Sequence, residues 1–128
     1  MTFEEMPDEW KEWIELSPIE RFRQSEKLFA QYLAKLRATP DGDGSLLDHM
    51  TILYGSGISN SNRHSGDNLP LLVLGGGMGR LKGGRHLTYA DKPTMANLLV
   101  TLMDKMDVPV ERIGGSTGKL PLETLSGM

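Results

Sequence analysis

The chain has 128 residues, no cysteine, and 14 basic against 17 acidic side chains, for a formal net charge of −3. That length holds one domain or less, and 38% hydrophobic with 24% charged residues fits a folded globular chain rather than a disordered one. Without cysteine, disulfides, thiolate nucleophiles and cysteine-ligated zinc are excluded, and Lys and Arg lack the density that sequence-independent nucleic-acid binding requires. No apolar run reaches the ~18 residues of a membrane span, and the first residues show no basic segment followed by an apolar stretch, so no export signal is visible.

Charge is uneven along the chain. Residues 1–20 carry seven acids against Lys11, and the remainder is mildly basic. Pro7 to Leu16 reads as a short amphipathic helix, with Met6, Trp10, Trp13 and Ile14 at helical spacing. Ser17-Pro18-Ile19-Glu20 then supplies an N-cap serine, a proline at the first helical position and the glutamate of a capping box. The helix it opens is expected to run to about Ala38. Ile19, Phe22, Phe29, Leu33 and Leu36 form its predicted buried stripe, widened by Leu28 and Tyr32. Turn residues from Thr39 to Gly44 stop it.

Met50–Tyr54 and Leu69–Leu74 are strand candidates, nearly continuous in apolar character, as for strands buried on both faces. Their direction, parallel or antiparallel, is open. Gly83-Gly84, between Leu81 and Leu87, reads as the tip of a small exposed hairpin. Pro93 opens a helix to about Met106, with Met95, Leu98, Leu99, Leu102 and Met106 as its core face. From Ile113 the chain is rich in Gly, Ser and Thr, and a surface tail is expected. The fold class is α/β: N-terminal helices, a small sheet, and a packing helix.

Three motifs fail on their own spacing. Asp41-Gly-Asp43-Gly-Ser45 begins like a calcium loop, but Leu46 and Ile52 stand where that loop needs Gly and Glu. Gly75-Gly-Gly-Met-Gly79 follows a strand, but a basic segment comes next instead of the helix that a dinucleotide loop opens. Gly115-Ser-Thr-Gly-Lys119 lacks the first glycine and the final hydroxyl of a phosphate loop. His49, at the entrance to the first strand, reads as structural.

The polar loop Gly55–Asn68 is the leading site candidate, because a loop of that length between strands is uncommon without a role. Ser56, Ser59, Asn60, Asn62, His64, Asp67 and Asn68 offer one imidazole and several oxygens. Imidazole with carboxylate suits a divalent metal, with His64 as the candidate ligand, and the same groups suit an anionic ester. They are also good turn residues that satisfy their own backbone. Arg80, Lys82, Arg85 and His86 form a basic cluster able to hold a phosphate or sulfate, or simply a solvated edge.

With these residues in view, the strings ATPDGDGSLLDHMTILYGSGISNSNRHSGDNLPLLVLGGGMGRLKGGRHL and VPVERIGGSTG resemble the C-terminal part of the domain-of-unknown-function 1552 family, bacterial proteins common in planctomycetes. The likeness spans roughly Phe22 to Leu120. That family is in turn distantly similar to the alkaline phosphatase and sulfatase superfamily, whose strand of this type delivers an Asp-His metal pair. Here the pair falls on Ser56 and Gly57 or their neighbours, and His64, ahead of Leu69-Pro70, is the residue resembling the later histidine. The resemblance implies a partial three-layer α/β sandwich over residues 19–121, after a helical extension over 1–18 and before a tail over 122–128. It also implies that the nucleophile and most metal ligands belong to an N-terminal half outside this chain, so that independent catalysis is not expected. Such a chain would be a fragment or a reduced relative. Its partners would be that missing half, a second copy or an anionic small ligand; full-length relatives resemble twin-arginine-exported periplasmic proteins.

Overall fold

The computed structural model describes residues 2–60 and 62–122. Helix α1 (Asp8–Glu15) is followed by α2 (Pro18–Ala38), the longest element at 21 residues. The α2 start is built as its sequence dictates. The Ser17 hydroxyl accepts from the Glu20 backbone N–H, and the Glu20 carboxylate accepts from the Ser17 N–H at 3.1 Å. Those reciprocal bonds satisfy donors that a helix end otherwise leaves orphaned, and the Ser17 contacts hold the Glu20 carboxyl below its ordinary range.

The turn residues after α2 form a two-rung hairpin, β1 (Pro40–Asp41) against β2 (Gly44–Ser45), with Gly42 at φ +58°. Ser45 caps the single-turn helix α3 (Leu46–His49) through a second capping box with Asp48. Strand β3 (Ile52–Gly55) then pairs with β4 (Leu71–Leu74) in an antiparallel ladder that sets Leu53 opposite Val73 and Tyr54 opposite Leu72. Helix α4 (Met95–Lys105) completes a mixed α/β chain. No helix among the described residues is long and apolar enough to cross a membrane.

The core sits between α4 and one face of the β3–β4 ladder. Leu98, Leu102, Leu120 and Leu122 are buried together, with Leu53, Leu71 and Val73 packed against them. Strand alternation explains the choice: Leu53, Leu71 and Val73 share a face, while Tyr54 and Leu72 take the other. On that second face, the Tyr54 ring stacks on Phe29 of α2 with centroids 4.2 Å apart, yet Tyr54 stays 41% and Leu72 54% exposed. The strands are therefore buried on one face and not on both as expected.

Other expectations are corrected. Of the stripe on α2, only Leu36 is buried, and Ile19, Phe22, Leu28 and Tyr32 are exposed. The main contacts of α2 are with α3 and β2. The core face of α4 is Leu98 and Leu102 with Asn97, Val100 and Thr101, while Met95 and Met106 lie exposed. Residues 82–88 form no hairpin; they cross the surface as irregular chain.

The segment after Ile113 is not a surface tail as far as Leu122. Ser116, Leu120 and Leu122 are buried. Buried Thr101 accepts from the Leu120 N–H at 2.7 Å, and its hydroxyl lies 2.9 Å from the Leu120 carbonyl. Asn97 receives the Thr117 N–H at 2.9 Å and reaches the Thr117 hydroxyl with its amide nitrogen at 3.1 Å. Polar side chains on a buried helix face thus give the returning backbone its hydrogen-bond partners, as burial demands. The expected tail over 122–128 otherwise lies outside the described residues.

Candidate functional site

The loop from Ser56 to Pro70 leaves β3 and returns as β4, and it is held by its own residues. Ser59 N–H donates to the Ser65 carbonyl at 2.9 Å and Ser65 N–H to the Asn60 carbonyl at 3.2 Å, an isolated antiparallel bridge. Around that bridge, four of the side chains named in the sequence, though exposed, bond within the loop. The Ser56 hydroxyl donates to the Ile58 carbonyl at 2.8 Å, and Ser59 to the Ser65 carbonyl at 3.2 Å. Asn60 accepts from the Arg63 N–H at 3.1 Å, and Asp67 accepts from the Ser65 hydroxyl at 3.4 Å. These are the local side-chain-to-backbone bonds by which Asn, Asp and Ser shape turns.

Asn62, His64 and Asn68 are exposed, and their side chains make no hydrogen bond among the described residues. His64 and Asn68 both hold positive φ, at +50° and +51°, a conformation that Asn favours and His tolerates. The loop therefore presents three polar side chains outward and spends the other four on itself. Among the described residues, no three His, Asp or Glu side chains gather as metal ligands would.

The basic cluster does not converge either. Arg80 crosses to the end of α4, donating to the Lys105 carbonyl at 2.8 Å and to the Asp107 carboxylate at 2.6 Å. The guanidinium holds the Asp107 carboxyl below its ordinary range, and Arg80 is raised in turn. Arg85 donates to the Lys82 carbonyl through Nε and Nη2 and to the Leu122 carbonyl through Nη1. Arg80 thus ties the 80–86 segment to the end of α4, and Arg85 ties it to the C-terminal segment at Leu122. Lys82 and His86 are exposed and remain turned to solvent.

Two further groupings, both singled out in the sequence, close into local structure. His49 bridges two carboxylates, with Nδ1 at 2.8 Å from Asp41 and Nε2 at 3.1 Å from Asp43. The Asp41 hydrogen bond is the largest cause of a raised His49 pKa; burial opposes it, and the charges of Asp41 and Asp43 add to the rise. The spacing Asp-Gly-Asp with a histidine six residues on was visible, but only the α3 turn shows that it closes. Because the two carboxylates sit on opposite ring nitrogens, this is a clamp on the hairpin and not a convergent cation site.

The other grouping is the glycine run. Gly76 N–H donates to the Leu47 carbonyl at 2.9 Å and Gly77 N–H to the Met50 carbonyl at 3.0 Å, while Met78 N–H reaches the Asp48 carbonyl at 3.0 Å. A Cβ on Gly75 would strike the Met50 carbonyl, and one on Gly76 the Asp48 carbonyl. The glycines dock β4 against the end of α3 and cradle no phosphate. Comparison with known protein families, with curated proteins and with solved structures found no match.

Proposed function

We propose that this chain is an assembly element, the C-terminal part of an alkaline phosphatase/sulfatase-superfamily-like domain of the domain-of-unknown-function 1552 type, without catalysis of its own. The carrying observation is the β3–β4 ladder, two strands wide, with Tyr54 and Leu72 exposed side by side on one face. A two-stranded sheet is marginal alone, and exposed apolar pairs beside open strand edges invite further strands or a partner. The finer architecture proposed is a partial three-layer α/β sandwich. It is supported by α4 lying on one face of the ladder and Phe29 of α2 on the other. Within that reading, His64 is the remnant of a metal ligand, and the locally bonded Ser56, Ser59, Asn60 and Asp67 keep the loop's shape.

The test is turnover of p-nitrophenyl phosphate and p-nitrophenyl sulfate by the purified chain with Zn²⁺, Mg²⁺ or Ca²⁺. Rates equal to buffer, unchanged in His64→Ala, are expected. Metal-dependent turnover that His64→Ala abolishes would overturn the reading.

A second reading, a binding module for an anionic ligand, is favoured by the outward Asn62, His64, Asn68 and Lys82. It expects salt-sensitive binding of inorganic phosphate or sulfate that is lost in Lys82→Ala. Because Arg80 and Arg85 are engaged elsewhere, their substitution should loosen the fold more than the binding.

A further inference from the structure

The β3–β4 ladder ends at two edges that differ. Among the described residues it gains no third strand, and no backbone–backbone hydrogen bond reaches either strand from outside the ladder. Each strand still keeps alternate N–H and C=O groups turned away from its partner. Most residues carrying them are half-buried, Tyr54, Gly55 and Leu72 being the exposed ones, and backbone taken out of water needs partners. On the β3 side, the N–H groups of Gly76, Gly77 and Met78 bond to the carbonyls of Leu47, Met50 and Asp48, which lead into β3. The chain leaving β4 thus folds back to the entry of β3 and not along the outer edge of β4. Phe29 also stacks on Tyr54 of β3, whereas Leu72 of β4 stays 54% exposed. The open side of the ladder is β4.

Edge strands are ordinarily guarded by charge, by a bulge or by a covering element. Residues 69–79 carry no charge, and β4 pairs with β3 one residue to one, without a bulge. A lone two-stranded ladder is marginal in water and gains from further strands. The described residues have none to spare, because β1 and β2 are two residues each and pair with one another. A second copy brings two. We infer that two copies of this chain join β4 to β4 in antiparallel orientation, about a two-fold axis at Leu72, making a four-stranded sheet ordered β3-β4-β4-β3. The inference names the partner for the assembly role proposed above and rests on that reading.

The register follows from symmetry. A two-fold axis normal to the sheet sets one residue opposite itself. At Leu72 it also sets Leu71 opposite the partner's Val73. Centred on Val73 it would instead draw in Gly75, whose φ of +95° ends the extended chain. In the Leu72 register both faces keep their character. Leu71 and Val73 of the two copies adjoin on the face that packs against α4, and the two Leu72 side chains meet on the other, about 5 Å apart at Cβ. Pro70, with no N–H to give, falls at the margin of the joined strands. The same patch serves both copies, so the contact closes as a dimer and does not run on as a chain.

The test is sedimentation equilibrium of the full chain over a wide concentration range. Twice the 14.2 kDa monomer mass is expected at the upper end. Leu72→Lys and Leu72→Glu should each weaken association about tenfold or more, since each sets like charges directly opposite. An equimolar mixture of the two should recover the dimer, because opposite charges then meet. Hydrogen exchange reads the backbone: β4 amides turned away from β3 should slow about tenfold or more on dimerisation, while β3 amides turned away from β4 should not. The chain has no cysteine of its own, so an introduced one reports cleanly. Leu72→Cys should form a disulfide with its own copy, the Cα atoms lying about 4.5–5.5 Å apart. Tyr54→Cys should not, its two copies lying about 14 Å apart across three strand spacings.

A monomer at every concentration would overturn the inference. So would a dimer whose β4 amides exchange as in the monomer, one that links through Tyr54→Cys, or charged variants that mixing does not restore. Should those variants fail to fold, hydrogen exchange of the wild type decides. A monomer without phosphatase or sulfatase turnover sinks the pairing and leaves the assembly role standing, whereas metal-dependent turnover that His64→Ala abolishes sinks that role whatever the mass.

Discussion

At the scale of the residue, His49 shows how a side chain outside the expected site carries local structure. It ties the tip of the β1–β2 hairpin, through Asp41 and Asp43, to the end of α3. Because its folded pKa is raised above the unfolded value, the stability it contributes is complete below the ordinary histidine range and is lost as pH rises through the raised value. Thermal melts of wild type and His49→Gln should therefore differ at pH 5.5 and converge at pH 9; a difference that grows with pH would contradict the clamp. Asp48 has the opposite sign. Its carboxyl is lowered chiefly by the Ser45 hydroxyl and N–H, so its contribution is present at neutral pH and fades as acid protonates it. The Gly75–Gly77 run is equally local. Gly75 sits at φ +95° against the Met50 carbonyl, so Gly75→Ala should cost at least about 2 kcal/mol in denaturant titration. Sequence alone marked these glycines as special but not why, since a ligand and a neighbouring carbonyl demand the same missing Cβ.

At the scale of the element, the strap from Ile113 to Leu122 is the largest departure from what the sequence suggests. Its Gly, Ser and Thr residues read as surface chain, yet Leu120 and Leu122 complete the core and Thr101 and Asn97 hold its backbone. Leu120→Ala should cost about 2–4 kcal/mol by urea unfolding. Thr101→Val should cost about 1–3 kcal/mol, because the Leu120 N–H is then buried without an acceptor. Costs under 0.5 kcal/mol for both would restore the picture of a surface tail. Helix starts were legible: the capping boxes at Ser17 and Ser45 act within three residues, and only the first was read. Burial was not. The stripe on α2 marks an apolar flank by periodicity, but periodicity carries no information about what covers it. The same holds for strand direction, which the ladder from Ile52 opposite Leu74 to Gly55 opposite Leu71 decides through pairing and not composition.

At the scale of the whole molecule, the polar loop that drew attention in the sequence turns out to be largely self-satisfied. Exposed large apolar side chains among the described residues include Tyr54 and Leu72 on the outer face of the β3–β4 ladder and Phe22, Leu28 and Tyr32 on α2. The proposed role as an assembly element rests on such a face, while Ser56, Ser59, Asn60, Asp67, Arg80 and Arg85 serve local structure. The claim is tested most directly at the ladder, by fluorescence of 8-anilinonaphthalene-1-sulfonate bound to the folded chain at neutral pH. Wild type should bind the dye, and Tyr54→Lys with Leu72→Lys should lose most of that signal while circular dichroism and the melting midpoint hold. No binding by wild type, or binding indifferent to the two lysines, would contradict an open sheet face as the functional surface.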